Sequence, residues 1–194
     1  MSSAVTVIRG ANPRRNLPGP VARKRTESNF LCAFERAYRR GLRSTGIAGR
    51  DFEVSGYGIA DWVWIAWRQR PASPDATACA LERRPPLLRL HAFELKISDW
   101  RKALKQAFRY GYFADRATVV LPPSAARLAK VHLDTFVRLR VGLWSFDAST
   151  GRILRIYSPR LWRPRNAQAK DRAVALILRR VNFSQVSKKL QGLA

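Results

Sequence analysis

The sequence predicts an α/β fold, a mixed central sheet with helices on its faces. Three observations lead there. An early helical stripe is followed by three runs rich in β-forming residues. A helix and a further short apolar strand then come next, so the periodicity changes from 2 to 3.6 and back. Of the 194 residues, 46% are hydrophobic, enough to build a real core in one domain of ordinary size.

The elements follow in order. Residues 1–26 are rich in Arg, free of acids and interrupted by Pro13, Pro18 and Pro20, and are expected to form a flexible basic arm. The remainder, 27–194, is expected to be a single domain, with a core over about 28–121 and a C-terminal extension over about 122–183. Ser28 to Arg43 reads as a helix, because Phe30, Leu31, Phe34, Tyr38 and Leu42 recur at helical spacing behind a Ser28 cap. Phe52 to Tyr57 and Ile59 to Trp67 read as strands separated by a turn at Gly56 and Gly58. Arg68 to Pro86, with four prolines, reads as a long loop. Leu87 to Ile97 is the third strand. Ser98 is expected to cap a helix from Asp99 to about Ala114, and Ala117 to Leu121 is a short buried strand. Ser124 to Arg140 reads as one helix, followed by strands over Val141 to Phe146 and Arg152 to Tyr157 and a last helix over Ala167 to Arg180. The order is helix, three strands, helix, strand, then a helix/two-strand/helix extension.

Charge narrows the partners. The chain carries 37 Lys and Arg against 13 Asp and Glu, a formal +24. A polyanion relieves that repulsion, and a nucleic-acid backbone is the natural one. An acidic membrane surface, an acidic protein and a generally basic proteome are the other readings of charge alone. No apolar run is long enough to span a bilayer, so no membrane is expected, and no apolar leader suggests secretion. Cys32 and Cys79 are too few for a disulfide scaffold or a cysteine zinc site, which fits a reducing cytoplasm.

The chemistry concentrates on two strands. In His91-Ala-Phe-Glu-Leu-Lys-Ile97, side chains alternate, so Phe93, Leu95 and Ile97 face a core while Glu94 and Lys96 share the other face. In Ile59-Ala-Asp-Trp-Val-Trp-Ile65, Asp61 is a lone acid in an apolar strand and needs a compensating partner. If the two strands pair antiparallel, both carboxylates converge on one divalent cation. Mg²⁺, with Mn²⁺ able to substitute, suits such oxygen ligands, and the Leu95 backbone carbonyl would complete the set. Lys96 would orient water and offset charge on a phosphate. Glu35, on the first helix, is a further candidate ligand, or else an ion-pair partner for Arg39 four residues on.

The string Ile59-Ala-Asp61, then Phe93-Glu94-Leu95-Lys96, then a helix, resembles the PD-(D/E)XK superfamily of restriction-endonuclease-like folds. The resemblance covers roughly 28–121, about half of the chain. It implies a metal-dependent nuclease that hydrolyses phosphodiester bonds, with Asp61, Glu94 and Lys96 catalytic and Glu35 as the acid of the first helix. Gln106 and Tyr110, four apart, look like the Gln-x-x-x-Tyr motif of one branch, in which the Gln is near the metal and the Tyr supports DNA contact. With Lys102, Lys105 and Arg109 they form the expected nucleic-acid-binding helix face. Ala60 stands where the family name places Pro. The implied substrate is DNA rather than RNA, in repair, recombination, defence or a mobile element, and cutting both strands of a duplex would call for a homodimer.

Blander readings stand beside these. Glu-x-Lys alone is a weak signal, commonly a solvated strand face, and gains weight only through conjunction with Asp61 and the helix that follows. Gln106 and Tyr110 also read as ordinary helix surface. His91 and His132 read as structural or surface residues, and Trp62, Trp64, Trp67 and Trp100 as core. The segment Arg160-Leu-Trp-Arg-Pro-Arg165 reads equally as a nucleic-acid surface or a loop anchored by Trp162. The rival functions are a non-catalytic nucleic-acid-binding protein on the same fold and a small basic structural protein.

Overall fold

The computed structural model describes residues 5–8, 25–42, 46–68 and 87–180. They form a seven-stranded mixed sheet in the order β1-β2-β3-β4-β5-β6-β7, flanked by helices. The elements are β1 (Val5–Ile8), α1 (Arg25–Arg40), β2 (Gly46–Val54), β3 (Gly58–Arg68), β4 (Leu87–Leu95), α2 (Trp100–Tyr110), β5 (Arg116–Leu121), α3 (Pro123–Lys130), α4 (Leu133–Leu139), β6 (Val141–Asp147), β7 (Arg152–Tyr157) and α5 (Ala167–Arg180). The α/β class and the mixed sheet expected from the sequence are present. The long loop and Cys79 lie outside the described residues.

The strands β2, β3 and β4 form an antiparallel meander. The β2–β3 turn holds Gly56 at φ 84° and Gly58 at φ 95°, conformations that cost glycine little and other residues more. From β4 the pairing turns parallel, to β5 and then β6, and β7 returns antiparallel. Each parallel step needs a crossover, supplied by α2 and by α3 with α4. Helices on both sides explain why β5 is a nearly continuous apolar run with little alternation.

Two apolar layers result. On one face α1 brings Phe30, Leu31 and Phe34 against Trp62, Trp64, Phe93, Trp144 and Phe146. Phe34 packs at ring-centroid distances of 5.4–5.9 Å from Trp62, Phe93 and Phe146. His91 belongs to this layer, buried, with Nε2 2.8 Å from Thr118 Oγ1; burial first, then the Arg116 and Arg155 charges, holds its pKa well below the usual value. On the other face the smaller side chains Ala103, Ala107, Ala125, Ala126 and Ala129 let α2 and α3 sit close to Val63, Ile65 and Val119. Trp62, Trp64 and Trp100 are core residues, as expected; the Trp67 side chain lies outside the described residues.

Several expected boundaries differ. Val5–Ile8, expected in the flexible arm, pairs parallel with β2 at the sheet edge. The strand β2 begins at Gly46, well before Phe52, and a Cβ at Gly46 would stand 2.2 Å from the Trp64 ring. Small residues there carry no β-propensity, and the cross-strand tryptophan explains them. Asp99, not Ser98, caps α2, its carboxylate accepting the Lys102 N–H at 2.9 Å. The helix ends at Tyr110, capped at Gly111, short of Ala114. The single helix expected over Ser124 to Arg140 is broken between Lys130 and Leu133. The break sets the His132 ring on Trp100 at 5.0 Å while Phe136 still reaches the core, tertiary contacts that outweigh helical propensity.

Candidate active site

The ordered β3–β4 pairing runs from Arg68↔Leu87 to Trp62↔Phe93. The next step on the two strands holds Asp61 and Glu94. There the backbone ladder gives way to a side chain, with the Leu95 N–H donating to Asp61 Oδ2 at 2.7 Å. In an extended strand a residue's N–H and C=O emerge on the same edge. The Leu95 carbonyl is therefore directed to the Asp61 side, while Lys96 N–H turns to β5 and donates to Val120 O at 3.2 Å.

Glu94 is fully buried and Asp61 nearly so. Glu94 projects to the α2 face, not onto an open surface. Its Oε2 is 2.5 Å from the Tyr110 hydroxyl, and its Oε1 is 2.8 Å from Lys96 Nζ. That second contact is a charge-assisted ion pair that occupies Oε1. The Tyr110 hydroxyl also lies 2.6 Å from Ile59 O. One hydroxyl proton cannot serve both acceptors. The hydroxyl donated to Glu94 favours its charged form and so opposes the upward shift that burial imposes on that carboxyl.

Burial, then the Asp61 charge, pushes Glu94 from an ordinary 4.5 up to about 7, against the pull of Lys96 and Tyr110. Burial pulls the Lys96 ammonium down, yet the Glu94 and Asp61 carboxylates outweigh it and hold its pKa above the usual value. Burial and the Glu94 charge hold the Tyr110 hydroxyl far above its usual range. The site thus sets two buried acids beside the Lys96 ammonium.

Asp61 and Glu94 on adjacent strands, with the Leu95 carbonyl beside them, are the hard-oxygen groups that could hold a divalent cation. Gln106, one turn before Tyr110 on α2, has a buried Oε1 without a hydrogen-bond partner among the described residues. Among the described residues no group of three or more His, Cys, Asp or Glu is placed to hold a metal, so the protein set stops at two side-chain carboxylates.

Asp61, Glu94, Lys96 and Tyr110 come together; other expected residues do not join them. Glu35 is on the α1 face, buried and ion-paired with Arg50, whose Nε is 2.5 Å away, and with Arg39 at 3.6 Å. Two guanidinium groups compensate it there, the Arg39 pairing among them being the alternative that its four-residue spacing offered. Of the acids on α1, the charge that reaches Lys96 is that of half-buried Glu27. Its place in the first helical turn was the available signal for it, and the apolar stripe drew attention to Glu35 instead. Tyr110 is 1% exposed and cannot meet a polynucleotide directly; it holds Glu94. Lys102, Lys105 and Arg109 are exposed along α2.

No helix among the described residues is long and apolar enough to cross a membrane. Comparison with protein-family models, with curated proteins and with solved structures yields no match to this chain.

Proposed function

We propose that this chain is a metal-dependent nuclease of the PD-(D/E)XK type, hydrolysing phosphodiester bonds in DNA with Mg²⁺ or Mn²⁺. The observation that carries the reading is the meeting of Asp61 and Glu94 where the β3–β4 ladder ends, with Lys96 against Glu94. Asp61, Glu94 and the Leu95 carbonyl would hold the cation. When bound, it supplies polarisation of a phosphate oxygen and a lowered pKa for water. Lys96, kept protonated by two carboxylates, orients the attacking water and offsets charge growing on the phosphate. Tyr110 fixes the Glu94 rotamer from behind. Lys102, Lys105 and Arg109 position the backbone without reading sequence.

One observation favours a second reading, a nucleic-acid-binding protein on the same scaffold without turnover. The Glu94–Tyr110–Lys96 network is already closed by its own hydrogen bond and ion pair. Cleavage of labelled single-stranded, duplex and branched DNA, with Mg²⁺, Mn²⁺ or EDTA and with Glu94→Ala alongside, decides between them. Cutting that needs both metal and Glu94 is expected. Tight binding with no cutting in any metal would sink the nuclease reading.

A further inference from the structure

We propose that a second site, the arginine-lined pocket between the C-terminal end of α2, α4 and the loop after β7, captures one unpaired nucleotide of a single-stranded nucleic acid. The cavity measures about 310 Å³, room for a base with its phosphate. Arg138, Arg140, Arg160, Arg163 and Arg165 line it together with Trp162. Arg138 is engaged by Asp134. Among the described residues no carboxylate pairs with the other four arginines. The acid in the lining, Asp115, is already committed: Oδ2 accepts the Leu90 N–H and Oδ1 takes Lys170, each at 2.7 Å. Uncompensated guanidinium groups around a concavity call for an anion, and phosphate is the one that Arg forks fit best.

The aromatic partner narrows the ligand further. Trp162 is 59% exposed, an unusual place for so large an apolar surface, and the Arg140 guanidinium lies 3.8 Å from its ring centroid. Arg165 stacks in the same way on Phe108 at 4.1 Å. Planar cations and an open indole face accept an unstacked base of any identity. An acidic peptide would use the arginines and leave the indole idle.

The platform is built in advance. Backbone N–H groups of Trp162, Arg165 and Asn166 donate to the carbonyls of Asp115, Gly111 and Tyr112 at 3.0–3.1 Å. The Asn166 side chain also donates to the Tyr57 hydroxyl at 3.0 Å. Arg140 itself holds a left-handed conformation, φ 57°, where glycine would be cheaper. A loop stitched this firmly presents its side chains with little ordering cost on binding. The exposed row Lys102, Lys105 and Arg109 spans about 10 Å along α2, and its Arg109 end adjoins the pocket residues Phe108 and Gly111.

The proposal rests on the reading that nucleic acid is the partner, and not on cleavage. Its test is fluorescence anisotropy of a labelled oligothymidylate and of a hairpin duplex, with the full chain in EDTA. Trp162→Ala and Arg165→Ala are compared with Arg127→Ala, an exposed arginine of α3 outside the pocket. Thermal unfolding checks that each variant folds. Single-strand affinity is expected to fall about tenfold in Trp162→Ala, with duplex affinity changed less than about twofold. Arg165→Ala should weaken single-strand binding more than Arg127→Ala does. Equal effects of all three variants, or polyglutamate competing as well as the oligonucleotide, would overturn the pocket while leaving the nuclease reading in place. Absence of any nucleic-acid binding would overturn both. Variant-sensitive single-strand binding without metal-dependent cutting would uphold the pocket alone.

Discussion

Replacing Glu94 by Gln should stabilise the metal-free protein at alkaline pH while abolishing metal binding. The folded chain holds the Glu94 proton to about pH 7, whereas an ordinary carboxyl releases it near 4.5. Folded protein therefore binds the proton more tightly than unfolded protein throughout that interval. Stability is full below it, falls as pH rises through it and levels off above it. Each pH unit is worth about 1.4 kcal/mol, so the loss totals roughly 3 kcal/mol. The amide of Gln does not titrate and escapes the loss. Urea unfolding of both proteins in EDTA, at about pH 5 and about pH 8, isolates the effect, because the other titrating groups, His91 included, are common to both. The difference between variant and wild type should grow in favour of Gln by roughly 2–3 kcal/mol between the two conditions, or about 5–10 °C in Tm for a domain of this size. Mg²⁺ should then restore stability at about pH 8 to wild type alone. Parallel pH curves for the two proteins would refute the claim that a strained, proton-holding carboxyl sits at this site.

Tyr110→Phe removes the hydroxyl from Glu94 and from Ile59 O; a loss of about 1–3 kcal/mol in denaturant stability is expected, and the pH midpoint of Mn²⁺ binding should move up, since that hydroxyl pulls Glu94 down. Asp61→Asn removes the second-largest cause of the Glu94 shift, so the carboxyl should titrate at lower pH by NMR, while metal-dependent cleavage is lost. Lys96→Ala should reduce cleavage far more than metal affinity, read by single-turnover rates against calorimetric titration; unchanged turnover would remove Lys96 from the mechanism. Phe34→Ala empties the centre of the aromatic layer and should cost about 3–5 kcal/mol by chemical unfolding, with secondary structure intact below the new midpoint.

Much of this architecture was legible because the informative residues break a local rule. An aspartate inside Ile-Ala-Asp-Trp-Val-Trp-Ile, and a glutamate inside a strand bounded by Phe93 and Leu95, are costly unless something distant compensates them. What that something is could not be read. The pairing of Glu35 with Arg50 spans fifteen residues and leaves no periodic trace. The four-residue spacing of Gln106 and Tyr110 was visible, yet spacing fixes a shared helix face and not whether that face meets solvent or the sheet. The break between α3 and α4 and the early start of β2 depend on Trp100 and Trp64, rings supplied by other elements. The loop from Ser158 to Asn166 reads as coil in sequence because its hydrogen bonds run to the α2–β5 turn and not to itself.

The Leu95 amide has a consequence for spectroscopy. Nearly every protected N–H in a sheet reports on a neighbouring strand, but this one reports on a carboxylate. Its proton chemical shift will follow the charge on Asp61, and its exchange with solvent will follow how long that carboxylate stays in place. A single backbone resonance, assigned without labelling any side chain, thus becomes a gauge of whether the acid pair is empty, protonated or holding an ion.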